Sequence, residues 1–265
     1  MKTSKSSPVL IFLISAYLLI PILFTLVYSF FIEWNDVLPK GPTIKFYISF
    51  LSDAAFWTTV GRTVFIALLP TGLSLLVVLL AMYVITVYEP RLDRIIQMIA
   101  TLPYALQGVI IAISVLSLYV NAPAPFSNRI LLLTGTYMVI TLPYMYRGIR
   151  NSLLAIQATR LIEAAQLLGA SRFRAFFAVV VPNMASGLIV STLLSIALIF
   201  GDFVIVNIIG GNYFETAQMY ILKVMYKSGQ EFSAIGIVLF AVTLLISVVV
   251  HPLNAKSASS QENHK

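Results

Sequence analysis

Side chains able to do covalent, redox or metal chemistry are scarce in this sequence of 265 residues. It has no cysteine, which removes disulfides, iron–sulfur clusters and thiol nucleophiles. Its two histidines, His251 and His264, stand far from any acidic cluster that could share a metal with them. Neither H-E-x-x-H nor G-x-S-x-G occurs, and there is no G-x-x-x-x-G-K-[ST] to cradle a nucleotide phosphate. The prediction is a protein with no catalytic residue, no metal site and no cofactor of its own. Two places still set acidic or small residues in a pattern: Glu163-Ala164-Ala165 ahead of Gly169, and Asp202 within an apolar run.

Composition says what must carry them. Hydrophobic residues make up 59% of the chain and charged residues 10%, with a mean hydropathy of +0.94, whereas soluble domains carry about 25% charged residues. So few charges cannot cover a water-facing surface of this size. The apolar residues fall in six blocks: Pro8 to Phe31, Trp57 to Val87, Ile95 to Val120, Ile130 to Tyr146, Asn183 to Ile208 and Phe232 to His251. A helix needs about 20 residues to cross the hydrocarbon core. The predicted fold is therefore all-α, a polytopic membrane protein with six transmembrane helices. The second span is overlong and must tilt, project into water or include an interfacial turn near Trp57. The first follows Lys2 and Lys5 as a signal peptide would, but it exceeds an h-region of roughly 7 to 15 residues and is read as a retained anchor.

Lysine and arginine set the orientation. With the N-terminus in the cytoplasm, eleven of the seventeen basic residues fall inside, among them Lys2, Lys5, Arg91, Arg94, Arg147, Arg150, Lys256 and Lys265. Both termini are then cytoplasmic. The net charge of +7 is mostly this topological bias, and basic residues spread along loops do not make a nucleic-acid face. Pro21, Pro70, Pro103 and Pro143 lie inside spans, where each removes a backbone donor and bends its helix. Gly187, Ser191 and Ser195 recur every four residues on the fifth span, a packing face for a helix of this chain or of a second subunit. Asp202 is the acidic residue well inside a span, so it must face protein or water; it serves either a pathway or the end of a neighbouring helix.

The stretch from Asn151 to Pro182 lies between spans four and five and, with its neighbours Arg147 and Arg150, carries five of the eleven inner basic residues. Leu153, Leu154, Ile156, Leu161, Ile162, Ala165 and Leu168 follow an irregular three-to-four spacing that predicts an amphipathic helix, stopped by Gly169. Ser171 then caps a second helix running toward Pro182, which opens the fifth span at its first turn. Taken alone, such a segment is also compatible with an interfacial helix resting on lipid.

Glu163-Ala164-Ala165, Gly169 three residues later, and Val179 and Val181-Pro182 beyond it resemble the EAA loop of ABC-importer permeases, whose pattern is E-A-A, three residues, G, nine residues, I-x-L-P. Val179 and Val181 replace isoleucine and leucine, changes conservative in shape. The resemblance covers roughly Ala55 to His251 and implies a type I ABC importer permease core over 55–251, with the coupling loop at 151–182. Residues 1–54 then form an N-terminal anchor and outer loop, and 252–265 a cytoplasmic tail. It implies a bacterial inner-membrane protein whose loop docks on an ATP-binding cassette ATPase dimer. The contact residues implied are Glu163, Ala164, Ala165, Gly169, Arg172 and Pro182. Two alanines and a glycine allow close backbone approach, and Glu163 offers a charge-assisted contact. Arg172 and Arg174 would meet acidic partner residues or lipid phosphates.

Further partners implied are a second permease subunit, identical or homologous, and an extracellular solute-binding protein; ATP and Mg would be bound by the ATPase. The run Gly201-Asp202-Phe203-Val204, with Gly210-Gly211 and Thr216-Ala217-Gln218, looks like the branch handling polyamines, phosphonates or ferric iron. Charge does not choose among them: Asp202 suits a cation, while Arg62 and Arg129 suit an anion. The outer segment from Asn212 to Glu231 is either a docking site for the binding protein or an aromatic belt. An ion-coupled secondary transporter is the rival reading, but it would need inverted repeats and intramembrane ionisable pairs.

Overall fold

The computed structural model describes residues 6–34 and 38–244. Lys2, Lys5, His251, Lys256, His264, Lys265, the tail at 252–265 and the end of the sixth span lie outside the described residues. The chain is mostly helical and divides into two compact units.

The first unit is formed by described residues up to 59 and by 217–244. It holds α1 (Ser6–Tyr28), two short antiparallel strands, β1 (Phe31–Glu33) and β2 (Lys40–Pro42), and α2 (Lys45–Leu51). It also holds the start of α3 (Ala54–Val87), then α11 (Ala217–Met225) and a last helix, α12 (Gly229–Leu244). The strand pair, in register Phe31↔Pro42, departs from the all-helical expectation. Gly41, at φ +65, supplies the left-handed backbone that an ordinary side chain resists. Phe50 and Phe56 meet edge to face at 5.0 Å between centroids, and Tyr220 packs on Phe56 at 5.7 Å. Asp53 joins these pieces, accepting from the Tyr220 hydroxyl at 2.7 Å and from the Ala55 N–H at 2.8 Å. The Tyr220 hydrogen bond, then that of Ala55, holds the Asp53 carboxyl below its ordinary range; burial, with the Asp53 contact next, pushes the Tyr220 phenol up. Trp57 donates its indole N–H to the Leu51 carbonyl at 2.8 Å, satisfying the polar edge of the ring locally.

The second unit spans Val60–Thr216. After α3 come α4 (Leu92–Thr101), a 3₁₀ turn (Leu102–Ala105), α5 (Gly108–Tyr119), α6 (Arg129–Ala155) and α7 (Ala158–Leu167). A short α8 (Arg172–Arg174) runs through a wide π-type segment (Ala175–Val180) into α9 (Val181–Asn183), and α10 (Ala185–Gly201) follows. A second wide turn (Val206–Gly210) closes the unit's helical order with a short 3₁₀ turn (Gly211–Tyr213).

Three span expectations need correction. The third is not one rod: Leu92–Ala105 and Gly108–Tyr119 meet at 96°. Pro103 sits in the first turn of the 3₁₀ segment, and Leu106 and Gln107 are extended at ψ 129 and 139, so no helical hydrogen bond crosses the break. The fifth is set off from the turn before it by a 72° bend at Met184, at its predicted start, so Pro182 belongs to the preceding turn and does not open the span. Its end at Ile208 also moves, because Asp202 is extended and α10 stops there. The fourth reaches well past Tyr146, to Ala155. Among the described residues α3 alone is long and apolar enough to cross a membrane unaided, and the two bent pairs reach that length when each counts as one span.

The Gly187 stripe finds its partner within this chain. Gly148 and Ser152 of α6 interlock with Gly187 and Ser191 of α10: a β-carbon at Gly187 would overlap the Ser152 hydroxyl, and one at Gly148 would lie 2.5 Å from Ser191 Cβ. Ser152 and Ser191 return their hydroxyls to the Gly148 and Gly187 carbonyls at 2.8 and 2.9 Å, so close approach leaves neither hydroxyl unpaired.

Candidate functional site

The segment from Ile156 to Asn183 is built as a hairpin on the end of α6. The helix breaks at Gln157, whose φ of 51 and ψ of 52 place a non-glycine residue in the left-handed region, at a cost of roughly 1–2 kcal/mol. The Arg160 guanidinium steadies it by donating to Gln157 Oε1 at 2.7 Å. The predicted amphipathic helix is thereby corrected: Leu153 and Leu154 belong to α6, and α7 begins at Ala158.

On α7 the buried residues are Ala158, Ile162 and Ala165, a one-sided i, i+4, i+7 stripe that joins a core with Ala175, Phe176 and Val180 of the wide segment. The other side presents Glu163, Ala164, Leu167 and Leu168. Leu167 and Leu168 are each 90% exposed, which is a large apolar surface for two neighbouring residues. Leu168 therefore does not share the buried stripe with Ala165 as its spacing predicted.

Gly169 ends α7 as expected, at φ +89. Its N–H bonds to the Gln166 carbonyl at 2.9 Å, and the Ala170 N–H to the Ala165 carbonyl at 3.0 Å. These two bonds are the paired closure of a Schellman motif, which needs a left-handed residue at this position. Ser171 opens the next turn, accepting from the Arg174 N–H at 3.3 Å. The hairpin is thus fixed by a stop and a cap only two residues apart.

Glu163, Ala164 and Gly169 are each exposed, while Ala165 is buried and Pro182 is exposed farther along the chain, beyond the wide segment. Arg172 lies with its guanidinium 5.3 Å from the centre of the Tyr88 ring, a cation–π contact within the chain. Asp202 accepts on one oxygen, Oδ2, from the Tyr137 hydroxyl of α6 at 2.7 Å and from the Ile205 N–H at 3.0 Å. It therefore ends α10, starts the next turn and ties both to α6.

Sequence reading missed a second polar knot. The Arg150 guanidinium on α6 donates to both oxygens of Asp93 on α4, its Nε at 3.0 Å to each and its Nη2 at 2.8 Å to Oδ2, and the Tyr146 hydroxyl donates to Oδ1 at 2.6 Å. The i, i+4 spacing of Tyr146 and Arg150 put both on one face of α6, but nothing local to the chain pointed to Asp93 as their partner. No three histidine, cysteine or acidic side chains among the described residues are grouped to hold a metal.

The fold matches a chain in the crystal structure of a bacterial ABC transporter involved in the import of the acidic polysaccharide alginate, with a TM-score of 0.67 and 18% identity over 97% of this chain and 99% of that one. Residues 74–259 match the family described as binding-protein-dependent transport system inner membrane component, and the chain belongs to that family. It is 22% identical over 231 residues to PhnV of Salmonella typhimurium, named for 2-aminoethylphosphonate transport, covering 87% of this chain and 86% of that protein. It is 35% identical over 118 residues to the molybdenum transport system permease protein ModB of Escherichia coli, covering 41% and 51%. The chain is thus an inner-membrane permease subunit of an ABC importer.

Proposed function

We propose that this permease crosses the membrane six times with both termini cytoplasmic, and that the exposed side of α7 is the surface through which a separate ATP-binding cassette subunit drives it. The observation that carries the reading is the two-faced α7: Ile162 and Ala165 are buried, while Leu167 and Leu168 stand 90% exposed beside Glu163 and the Gly169 turn. Apolar side chains held out by a rigid stop-and-cap turn suit a partner's groove. Without a phosphate-cradling loop in its sequence, the chain takes its driving energy from elsewhere, so ATP and Mg²⁺ belong to the ATPase dimer. A second permease subunit completes the pathway, an extracellular binding protein delivers the solute, and closure of the ATPase pair rocks the permease pair outward.

Within the expected substrate group, phosphonate is the member supported by a relative, and molybdenum- and sulfate-system permeases among the relatives favour a small oxyanion. Two guanidiniums flank the segment after α10: Arg62 lies 5.8 Å from the Phe214 ring centre, and Arg129 lies 5.7 Å from that of Tyr213 while donating to the Ile209 carbonyl at 3.0 Å. That pair gives the end of the unit a positive character suited to an anion.

The test replaces Leu167 and Leu168 by aspartate in the intact importer. The ATPase should no longer co-purify and uptake should fall to background, while the permease still inserts and keeps its companion. Retention of both the ATPase and uptake refutes the assignment of this surface.

A further inference from the structure

We propose that Tyr83 is a positioning residue that locks α3 to the segment following Gly169, so that a push received on α7 displaces α3 directly. The proposal rests on α7 being the surface that the ATPase pushes.

The backbone routes out of α7 are poorly suited to carrying a push. Toward α6 the chain passes the left-handed break at Gln157. Toward α10 it passes the Gly169 turn, the wide π-type segment Ala175–Val180 and the 72° bend at Met184. Left-handed single residues, wide turns and helix breaks are where a displacement is absorbed as local rotation rather than transmitted. A side-chain route bypasses the Gln157 break, the Gly169 turn and the Met184 bend, and crosses the wide segment sideways instead of following its backbone. Phe173, Phe176 and Phe177, spaced i, i+3 and i+4, turn three rings toward α3, and Tyr83 receives all of them, at 5.8, 5.3 and 5.7 Å between ring centroids. The phenylalanines also contact one another, Phe173 to Phe177 at 4.5 Å and Phe176 to Phe177 at 5.2 Å.

Tyr88, one turn beyond Tyr83, closes the group. Its ring is edge-on to Tyr83 at 5.6 Å, its hydroxyl lies 3.1 Å from that of Tyr83, and the Arg172 guanidinium covers it from the hairpin side. Phe173 and Tyr88 stand edge-on to Tyr83, at 82° and 88°, while Phe176 and Phe177 are tilted on it, at 60° and 47°; the edge-on pairs hold a preferred angle as well as a distance and so resist sliding. Phe176 is fully buried, and behind it the core reaches Ile162 and Ala165 of α7. One continuous packed path therefore runs from the exposed surface of α7 to α3, which it enters at Tyr83 and at the neighbouring buried residues Met82 and Ile85.

The experiment uses the complete importer, with its ATPase, companion permease and binding protein, reconstituted in lipid. The chain contains no cysteine, so with the partner subunits made cysteine-free a nitroxide pair at Gln166→Cys on α7 and Leu80→Cys on α3 reports from these two sites alone. Pulsed electron resonance distances are taken without nucleotide and after trapping with ATP and vanadate. With Tyr83 intact, the pair should keep one distance in both states, because hairpin and helix move together. Tyr83→Leu should split the two states in distance and lower solute taken up per ATP hydrolysed roughly 10-fold, with the ATPase still bound. Tyr83→Phe should restore both readings. The proposal is overturned if Tyr83→Leu leaves uptake per ATP and the distances unchanged, if the distance already changes with Tyr83 present, or if Tyr83→Leu fails by shedding the ATPase. Failure of the α7 assignment shows elsewhere, in the Leu167 and Leu168 aspartate variant made with Tyr83 intact.

Discussion

Two glycines on long helices should respond to the same substitution with opposite sign. At Gly187 an added methyl would lie 2.7 Å from Ser152 Cβ and would overlap the serine hydroxyl, where carbon atoms prefer about 3.5–4.0 Å. Ser152 cannot simply rotate away, because its hydroxyl is bonded to the Gly148 carbonyl at 2.8 Å and Gly148 is itself pressed against Ser191. Overpacking of this kind costs about 1–3 kcal/mol. The helix-propensity gain from glycine to alanine returns up to about 1 kcal/mol, so Gly187→Ala should lose about 1–2 kcal/mol net. Gly72, on α3, has no heavy atom within 4 Å of the position its β-carbon would take. Gly72→Ala keeps the propensity gain alone and should stabilise by about 0.5–1 kcal/mol. Reversible unfolding of the purified permease in mixed micelles, titrated with dodecyl sulfate, measures both. Adding Ser152→Gly to Gly187→Ala should recover most of the loss. If the two alanine variants shift stability in the same direction, or Ser152→Gly recovers nothing, the α6–α10 interlock is not what sets the stability of this pair.

Two further predictions concern the polar ties. Tyr137→Phe removes the hydroxyl that Asp202 accepts from at 2.7 Å and should cost about 1–2 kcal/mol; in an Asp202→Asn background the cost should shrink, and a double-mutant cycle with no coupling removes this tie as the role of the bond. The Asp53 carboxyl, held below its ordinary value of 3.8 by the Tyr220 hydroxyl and the Ala55 N–H, contributes stability that is fully present above that value and drains away as pH falls through the depressed one. Wild-type permease should therefore lose more of its melting temperature between about pH 6 and about pH 3 than Asp53→Asn does. Equal losses would mean that the Tyr220 contact is absent in solution.

What could be read from the chain was what local chemistry determines. Gly169 as a left-handed stop and Ser171 as a cap follow from conformational rules that hold whatever surrounds them, and both are where the spacing put them. The small-residue stripe on α10 was legible as a close-packing face, but its partner was not, because Gly148 and Ser152 lie some forty residues earlier and nothing in spacing alone distinguishes them from a second subunit. The break in the third span and the bend at the start of the fifth were hidden for a related reason. Hydropathy counts apolar residues without regard to direction, so a run interrupted by Pro103 or relaxed at Met184 scores like a straight one. The Asp93–Arg150 pair, spanning α4 and α6, had no local signature either.

Leu168 makes the limit of pattern reading specific. A single amphipathic stripe assumes one partner, the core, and on that assumption Leu168 is assigned to the same buried side as Ala165. A helix held between two partners has two apolar sides, and its period becomes irregular for that reason. In α7 the inward stripe of Ala158, Ile162 and Ala165 is made of small or branched residues that let the helix settle closely on the wide segment, while the bulk of Leu167 and Leu168 is turned outward. The irregular spacing from Leu153 to Leu168 was therefore not noise in one helix. It was the end of α6, a break at Gln157, and a second helix with a buried inner side and an exposed outer side that carries Leu167.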